Sequence, residues 1–163
     1  MAIGLSKNIQ VEMDSKYLFN NEAVGIIAMQ ATISECREIT YAKAMLILPF
    51  LLHEDTVASL KRSNSVQRSI EEMMTKKLGN FANFDSRYYS MLPISLNVLM
   101  ILRDMGAIKI TKDKIYSSAN LKNISIANLG KRAKNIIEAT TKLSLLLNSE
   151  NDSSLYLKLR ITL

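Results

Sequence analysis

The sequence predicts a mainly helical chain that closes in a β-ribbon, a last helix and a short strand. Three observations carry this. Between residues 21 and 105 apolar residues recur at spacings of three and four, the period of helices laid on a core. After Gly106 the period changes. Ala107 to Ile110 and Ile115 to Ser117 read as two strands around a tight polar turn, Thr111-Lys112-Asp113-Lys114. The last nine residues, 155–163, alternate apolar and polar, the period of a half-buried strand. Helix, glycine, strand, polar turn, strand is how a winged-helix domain ends. The predicted class is therefore mainly α: a winged-helix-like domain with a β-hairpin wing at 107–118, flanking helices and a short C-terminal strand.

Composition agrees with one domain over 1–163. The chain has 163 residues, 48% of them apolar and 22% charged, enough for a hydrophobic core. One cysteine, Cys36, excludes an internal disulfide and a multi-cysteine metal site, and one histidine, His53, excludes a histidine cluster. The first residues lack a signal peptide's apolar run, and no stretch approaches the ~20 apolar residues that span a bilayer. A cytoplasmic protein without a membrane segment is expected. No glycine-rich phosphate loop, GxSxG elbow or HExxH motif is present. No enzyme activity and no cofactor are expected.

The N-terminal helices are expected within 21–62. Asn20 or Asn21 can cap a helix over about 21–39, with Glu22 against its positive end and Tyr17, Leu18 and Phe19 stapling its start. Cys36 falls on the apolar face, as a buried, inert thiol. Residues 41–52 leave almost no polar face, so their helix should be central, with Pro49 kinking or restarting it. His53 then reads as a helix-end histidine that packs or pairs with an acid, and Asp55 or Thr56 as the cap of a short helix through Leu60. Val66, Ile70, Met73, Met74 and Leu78 outline an amphipathic helix over about 66–78, with Glu72 and Lys76 in the favourable i,i+4 order. Phe81, Phe84, Tyr88 and Tyr89 pack a connection onto the core. Pro93 suits the first turn of a helix over 93–105 that Gly106 ends. The last long helix is expected over 130–148.

Charge is placed unevenly. Residues 103–142 carry 9 basic and 3 acidic residues, the whole formal excess of +6. Lys109, Lys112, Lys114 and Lys122 lie on or near the wing, where a lysine can meet a phosphate backbone without reading sequence. The helix over 93–105 is too apolar to read base edges, with Asn97, Arg103 and Asp104 as its only long polar groups. Lys131, Arg132 and Lys134 stand at the positive end of the last helix, which cations oppose. Exposure, screening or an acidic partner must offset that. The strand over 155–163 needs a neighbour, in this chain or in another protein.

Three stretches carry a family likeness. YLFNNEAVGIIA at 17–28 looks like an Asn-Pro-Ala approach to a first helix, with Glu22 in place of proline. LILPFLLH at 46–53 looks like a Leu-Pro-Leu-Leu-His segment, followed by a short helix. LYLKLRITL at 155–163 looks like a short closing segment, with Leu159 in place of a glycine. In this order the chain resembles the middle component of the three-component ABC systems, small bacterial proteins found beside an SMC/Rad50-like ATPase and another partner. The resemblance implies a non-enzymatic adaptor between that ATPase and an effector, in conflict with phages or plasmids. On this reading Leu155, Tyr156, Leu157, Leu159 and Ile161 of the strand, and Lys131, Arg132 and Lys134 of the basic turn, are the expected partner contacts. The wing lysines remain candidates for non-specific DNA contact, and a homodimer stays open. The alternatives are a winged-helix DNA-binding transcription regulator and a small self-assembling structural protein.

Overall fold

The computed structural model describes residues 21–62, 69–118 and 129–163. The expected staple at Tyr17, Leu18 and Phe19, the cap at Asn20, the helical stretch 66–68 and Lys122 lie outside them.

Helix α1 spans 21–36 and buries Val24, Gly25, Ala28, Met29, Thr32 and Ile33, one face at helical spacing. It stops three residues short of the expected end. Arg37 takes a left-handed backbone with φ 63°, and Glu38–Thr40 become strand β1. The reason is tertiary. β1 pairs antiparallel with β3 (Lys114–Ser117), setting Ile39 opposite Ile115 in the core. Together with β2 (Ile108–Ile110) they form a sheet of order β1-β3-β2. The hairpin is the expected ribbon, and β1 completes it.

Thr40 ends β1 and caps α2 (Tyr41–Leu51), accepting from the Lys43 amide at 3.3 Å. Every residue from Ala44 to Leu51 is buried. α2 is the central helix that its composition predicts, packed by α5 (Phe84–Asp104), α3 (Glu54–Arg62) and α6 (Lys131–Asn148). Pro49 stands inside its last turn rather than starting a new helix. Gly25 lets α1 close on this layer. A Cβ there would lie 3.3 Å from Leu48 Cδ1 and 3.3 Å from Val98 Cγ2.

α4 (Ile70–Lys76) is capped by Ser69 and carries the expected Glu72–Lys76 pair at 2.6 Å. A short 3₁₀ turn, Leu78–Asn80, follows. Phe81 and Phe84 then pack on Phe50 of α2, with ring centroids at 6.0 and 4.8 Å.

Two expectations change here. The helix before the wing does not begin at Pro93. It begins at Phe84 and runs 21 residues, with Pro93 inside. Burial of Phe84 and Tyr88 on the inner face outweighs the ~3 kcal/mol cost of an internal proline. The carbonyl that Pro93 leaves without a donor belongs to Tyr89, on the outer, exposed side. The helix ends as predicted at Gly106 (φ 71°), with the Ala107 amide on the Leu102 carbonyl at 2.8 Å and the Gly106 amide on Arg103 at 2.9 Å.

The second change is the C-terminal strand. Residues 155–163 are not a strand. Asn151 caps α7 (Asp152–Lys158), accepting from the Ser154 amide at 2.8 Å, and Asp152 adds an acid in the first turn. Leu155 and Leu159, read as alternate strand positions, are also i,i+4 in a helix, and both are buried. Tyr156, which a strand would turn outward, is buried against Tyr88 and donates to the Ala42 carbonyl at 2.8 Å. Leu157 is left 78% exposed. The helix closes on Arg160, again left-handed (φ 56°), with the Ile161 amide on the Tyr156 carbonyl at 3.1 Å. Arg160→Gly is expected to stabilise the protein by roughly 1 kcal/mol, because glycine adopts this backbone without the Cβ penalty. Thermal unfolding of the two forms checks it.

The fold is thus predominantly helical with a three-stranded open sheet. Helix, short strand, helices, helix and hairpin, with the short strand joined to the second hairpin strand, make it winged-helix-like.

Candidate interaction surfaces

The outer face of α5 carries an apolar stripe. Its inner face buries Phe84, Tyr88, Ser95, Val98, Leu99 and Leu102. On the opposite side Tyr89, Pro93, Leu96 and Met100 follow at spacings of four, three and four, so they lie in one stripe. Leu96 is 57% exposed, Met100 and Tyr89 each 44%. The polar groups beside the stripe are held within the chain. Asn97 donates to Glu22 at 2.5 Å, and Arg103 pairs with the adjacent Asp104 at 2.9 Å. The long polar groups that a base-reading helix would offer are thereby engaged. The stripe is hidden in the sequence, because a helix started at Pro93 counts Leu96 among its core residues. The spacing 89, 93, 96, 100 was the available signal.

The wing is only partly cationic. Lys109 and Lys112 are exposed, but Asp113 stands in its turn and Lys114 pairs with Glu38 of β1. That carboxylate raises the Lys114 ammonium pKa, holding its proton more firmly.

Basic side chains meet elsewhere. α3 and α6 lie side by side, and a groove of about 720 Å³ runs along them. Leu51, Val57, Ala58 and Ile136 form its apolar lining, and Lys61, Arg62, Lys131 and Arg132 its basic one. Lys61 is engaged by Glu138 at 2.8 Å and Asn135 at 2.6 Å. Arg62, Lys131, Arg132 and Lys134 form no ion pair among the described residues. α6 begins on Gly130 with no side-chain cap and no acid in its first turn. Within its own first turn α6 carries no acid to offset the three cations that the sequence places at this end. Lys131, Arg132 and Lys134 stand out in the sequence, whereas Lys61 and Arg62 join them in one lining only through the packing of α3 on α6.

The terminal set is largely internal. Leu155, Tyr156, Leu159 and Ile161 belong to the core, and the segment is tied down beyond it. The Thr162 amide donates to Asp85 at 3.1 Å, and Tyr89 Oη donates to the Thr162 carbonyl. Of the five, Leu157 alone is open. Lys158 pairs with Glu150 at 2.7 Å and lies 3.6 Å from Glu71. Burial pushes the Glu150 carboxyl up, but Lys158, Ser154 and the Ile70 amide outweigh it and hold the group below its ordinary value.

Neither Cys36 nor His53 forms a reactive centre. Cys36 is half-buried, and burial pushes its thiol up to about 11, so it stays protonated near neutrality. His53, rather than Asp55 or Thr56, caps α3. Its Nδ1 accepts from the Thr56 amide at 3.3 Å and lies 2.8 Å from Thr56 Oγ1. The neutral tautomer with its proton on Nε2 satisfies both contacts. Burial first, then the nearby Arg87 cation, lower the His53 pKa below its ordinary 6.5. The unfolded chain therefore binds the proton more readily. Stability from His53 is full above pH 6.5 and falls as pH drops through 6.5 toward the lower folded value. His53→Asn, which keeps a cap and cannot titrate, is expected to flatten that part of the stability–pH curve measured by urea unfolding.

Among the described residues no group of three or more His, Cys, Asp or Glu side chains could hold a metal ion. No described helix is long and apolar enough to cross a membrane. An apolar stripe on α5 and a part-basic groove along α3 and α6, all helices packed on the buried α2, are thus carried on a winged-helix-like fold. Residues 14–163 match the family described as ABC-three component (ABC-3C) system Middle Component 3. The chain belongs to that family, and its role is that of the middle, adaptor component of an ABC-three-component defence system, a non-enzymatic part. Neither a curated protein nor a solved structure matches it.

Proposed function

We propose that the chain bridges an SMC/Rad50-like ATPase and an effector protein, taking one of them on the outer face of α5. The observation that carries this reading is the exposed stripe of Tyr89, Pro93, Leu96 and Met100 on the helix before the wing. A reader of DNA sequence needs amides and guanidinium groups there. Contiguous exposed apolar side chains suit a protein partner instead. A bridge also needs a second surface, and Lys131, Arg132 and Lys134 are proposed to face the other partner. Leu157 is the member of the terminal set still open to contact.

Co-expression with the products of the adjacent genes, followed by mass measurement of the purified assembly, tests the reading. A stable complex with the ATPase and the effector is expected. Leu96→Asp combined with Met100→Asp is expected to release one of them while leaving the circular dichroism unchanged. Elution of the chain alone, as monomer or homodimer beside soluble neighbours, would reject the bridge. A second reading rests on Lys109 and Lys112, both exposed on the wing. If they meet a DNA backbone, duplex affinity falls with salt with a log–log slope of about −2, which Lys109→Glu with Lys112→Glu abolishes.

A further inference from the structure

We infer that the groove between α3 and α6 receives an acidic, amphipathic peptide segment of a partner protein. This rests on the adaptor reading and names the chemistry of one of its contacts. The groove combines two features on one surface. Its apolar lining is Leu51, Val57 and Ile136, which are buried in the core, and the half-buried Ala58, and its basic lining draws on two helices, Arg62 at the end of α3 and Lys131 with Arg132 at the start of α6. Glu54 and Asp55 also line it. They stand in the first turn of α3, where they face the positive end of that helix. Lys61 is occupied by Glu138 and Asn135. Against Glu54 and Asp55 the four basic side chains leave the lining net basic, and Arg62, Lys131 and Arg132 form no ion pair among the described residues, which calls for carboxylates on the occupant.

The apolar lining separates a peptide from a nucleic acid. A phosphate backbone makes contacts of charge and hydrogen bonding and gains nothing from an apolar contact at Ala58. A peptide with an aliphatic side chain between acidic ones uses both kinds of lining at once. The volume, about 720 Å³, is in the range of sites that enclose a few side chains. The basic groove and the apolar stripe lie on different helices, α3/α6 and α5, each packed on α2. Two partners of different chemistry can thus be carried together.

The test is an array of overlapping 15-residue peptides from the two proteins encoded beside this one, probed with the full chain. Bound peptides are expected to be acidic with interspersed aliphatic residues. The triple variant Arg62→Glu, Lys131→Glu, Arg132→Glu should weaken them about tenfold or more, and peptides with lysine in place of acid should bind that variant instead. Ala58→Trp, which fills the groove without altering charge, should weaken them too, and unchanged circular dichroism shows that both variants fold. Binding of no acidic peptide, or equal binding by both variants, overturns the inference. So does a duplex DNA probe that binds in place of the peptides and is lost in the triple variant. If the wild-type chain still purifies with the ATPase and the effector in those cases, the adaptor reading stands and only the groove assignment falls.

Discussion

Leu155→Ala is expected to destabilise the protein by about 2–5 kcal/mol, whereas Leu157→Ala should change stability by no more than about 0.5 kcal/mol. The contrast follows from α7. Leu155 is fully buried and Leu157 faces outward, although only one residue separates them. A strand over 155–163 would put both on the same face and give them similar costs. Removal of 155–163 is expected to be more severe. It exposes the sites of Leu155, Tyr156, Leu159 and Ile161, each worth roughly 1.5–3 kcal/mol of burial. Their sum approaches the ~5–15 kcal/mol that holds a typical fold together. The truncated chain should lose its cooperative unfolding transition. Loss of a partner in such a truncation therefore reports unfolding, and the α5 and groove variants are the cleaner probes of contact. Urea denaturation of the two point variants decides the matter, since equal midpoints would contradict the helix.

Phe50→Ala is the second large effect expected. Phe50 sits on α2, fully buried, with Phe84 at 4.8 Å and Phe81 at 6.0 Å between ring centroids. It joins the central helix to the start of α5 and to the turn before it. Truncating a buried phenylalanine costs about 3–5 kcal/mol through lost transfer energy and the cavity left behind. For a chain of this length that lowers Tm by about 10 °C. Phe50→Leu, which retains most of the volume, should lose less. A calorimetric scan with the alanine variant unchanged would mean that α5 docks through Tyr88 and Val98 without the phenyl cluster. Arg87 lies over the Phe84 ring at 5.1 Å and donates to the Asn80 carbonyl at 2.8 Å, so some loosening of that turn should accompany the change.

The two surfaces carry different signatures in solution. Contact through Leu96 and Met100 buries apolar area and should persist at high salt. Contact through Arg62, Lys131 and Arg132 should weaken as salt rises. An ionic-strength series on the assembled complex thus separates the partner held by α5 from the partner held by the groove.

Local chemistry by itself determined much of this protein. The polarity of 41–52 is so low that only a central position can satisfy it, and α2 is central. Gly106 ends α5 because a left-handed residue is needed there, and the change of period after it makes the ribbon. Lys131, Arg132 and Lys134 stand out as charges at the wrong end of a helix without reference to packing. The family was legible too, from the 17–28, 46–53 and 155–163 stretches taken in order. What only the tertiary structure decided were the choices between two periods or two partners. Residues 155–163 satisfy both alternation and the i,i+4 rule. The Asn151 cap and the contacts of Tyr156 with Tyr88 and Ala42 select the helix. Glu38–Thr40 leave a helical pattern because the hairpin has an unpaired edge to offer. Pro93 stays inside α5 because the burial of Phe84 and Tyr88 exceeds the proline's cost. The same extension turns Leu96 and Met100 outward. Likewise, Arg62 joins Lys131 and Arg132 across a gap of nearly seventy residues only when α3 lies on α6. Propensity and spacing act over a few residues, whereas a shared face is created by elements far apart in the chain. The groove belongs to that second kind, whereas the α5 stripe lies on one helix and owes to the fold only which face is left outside.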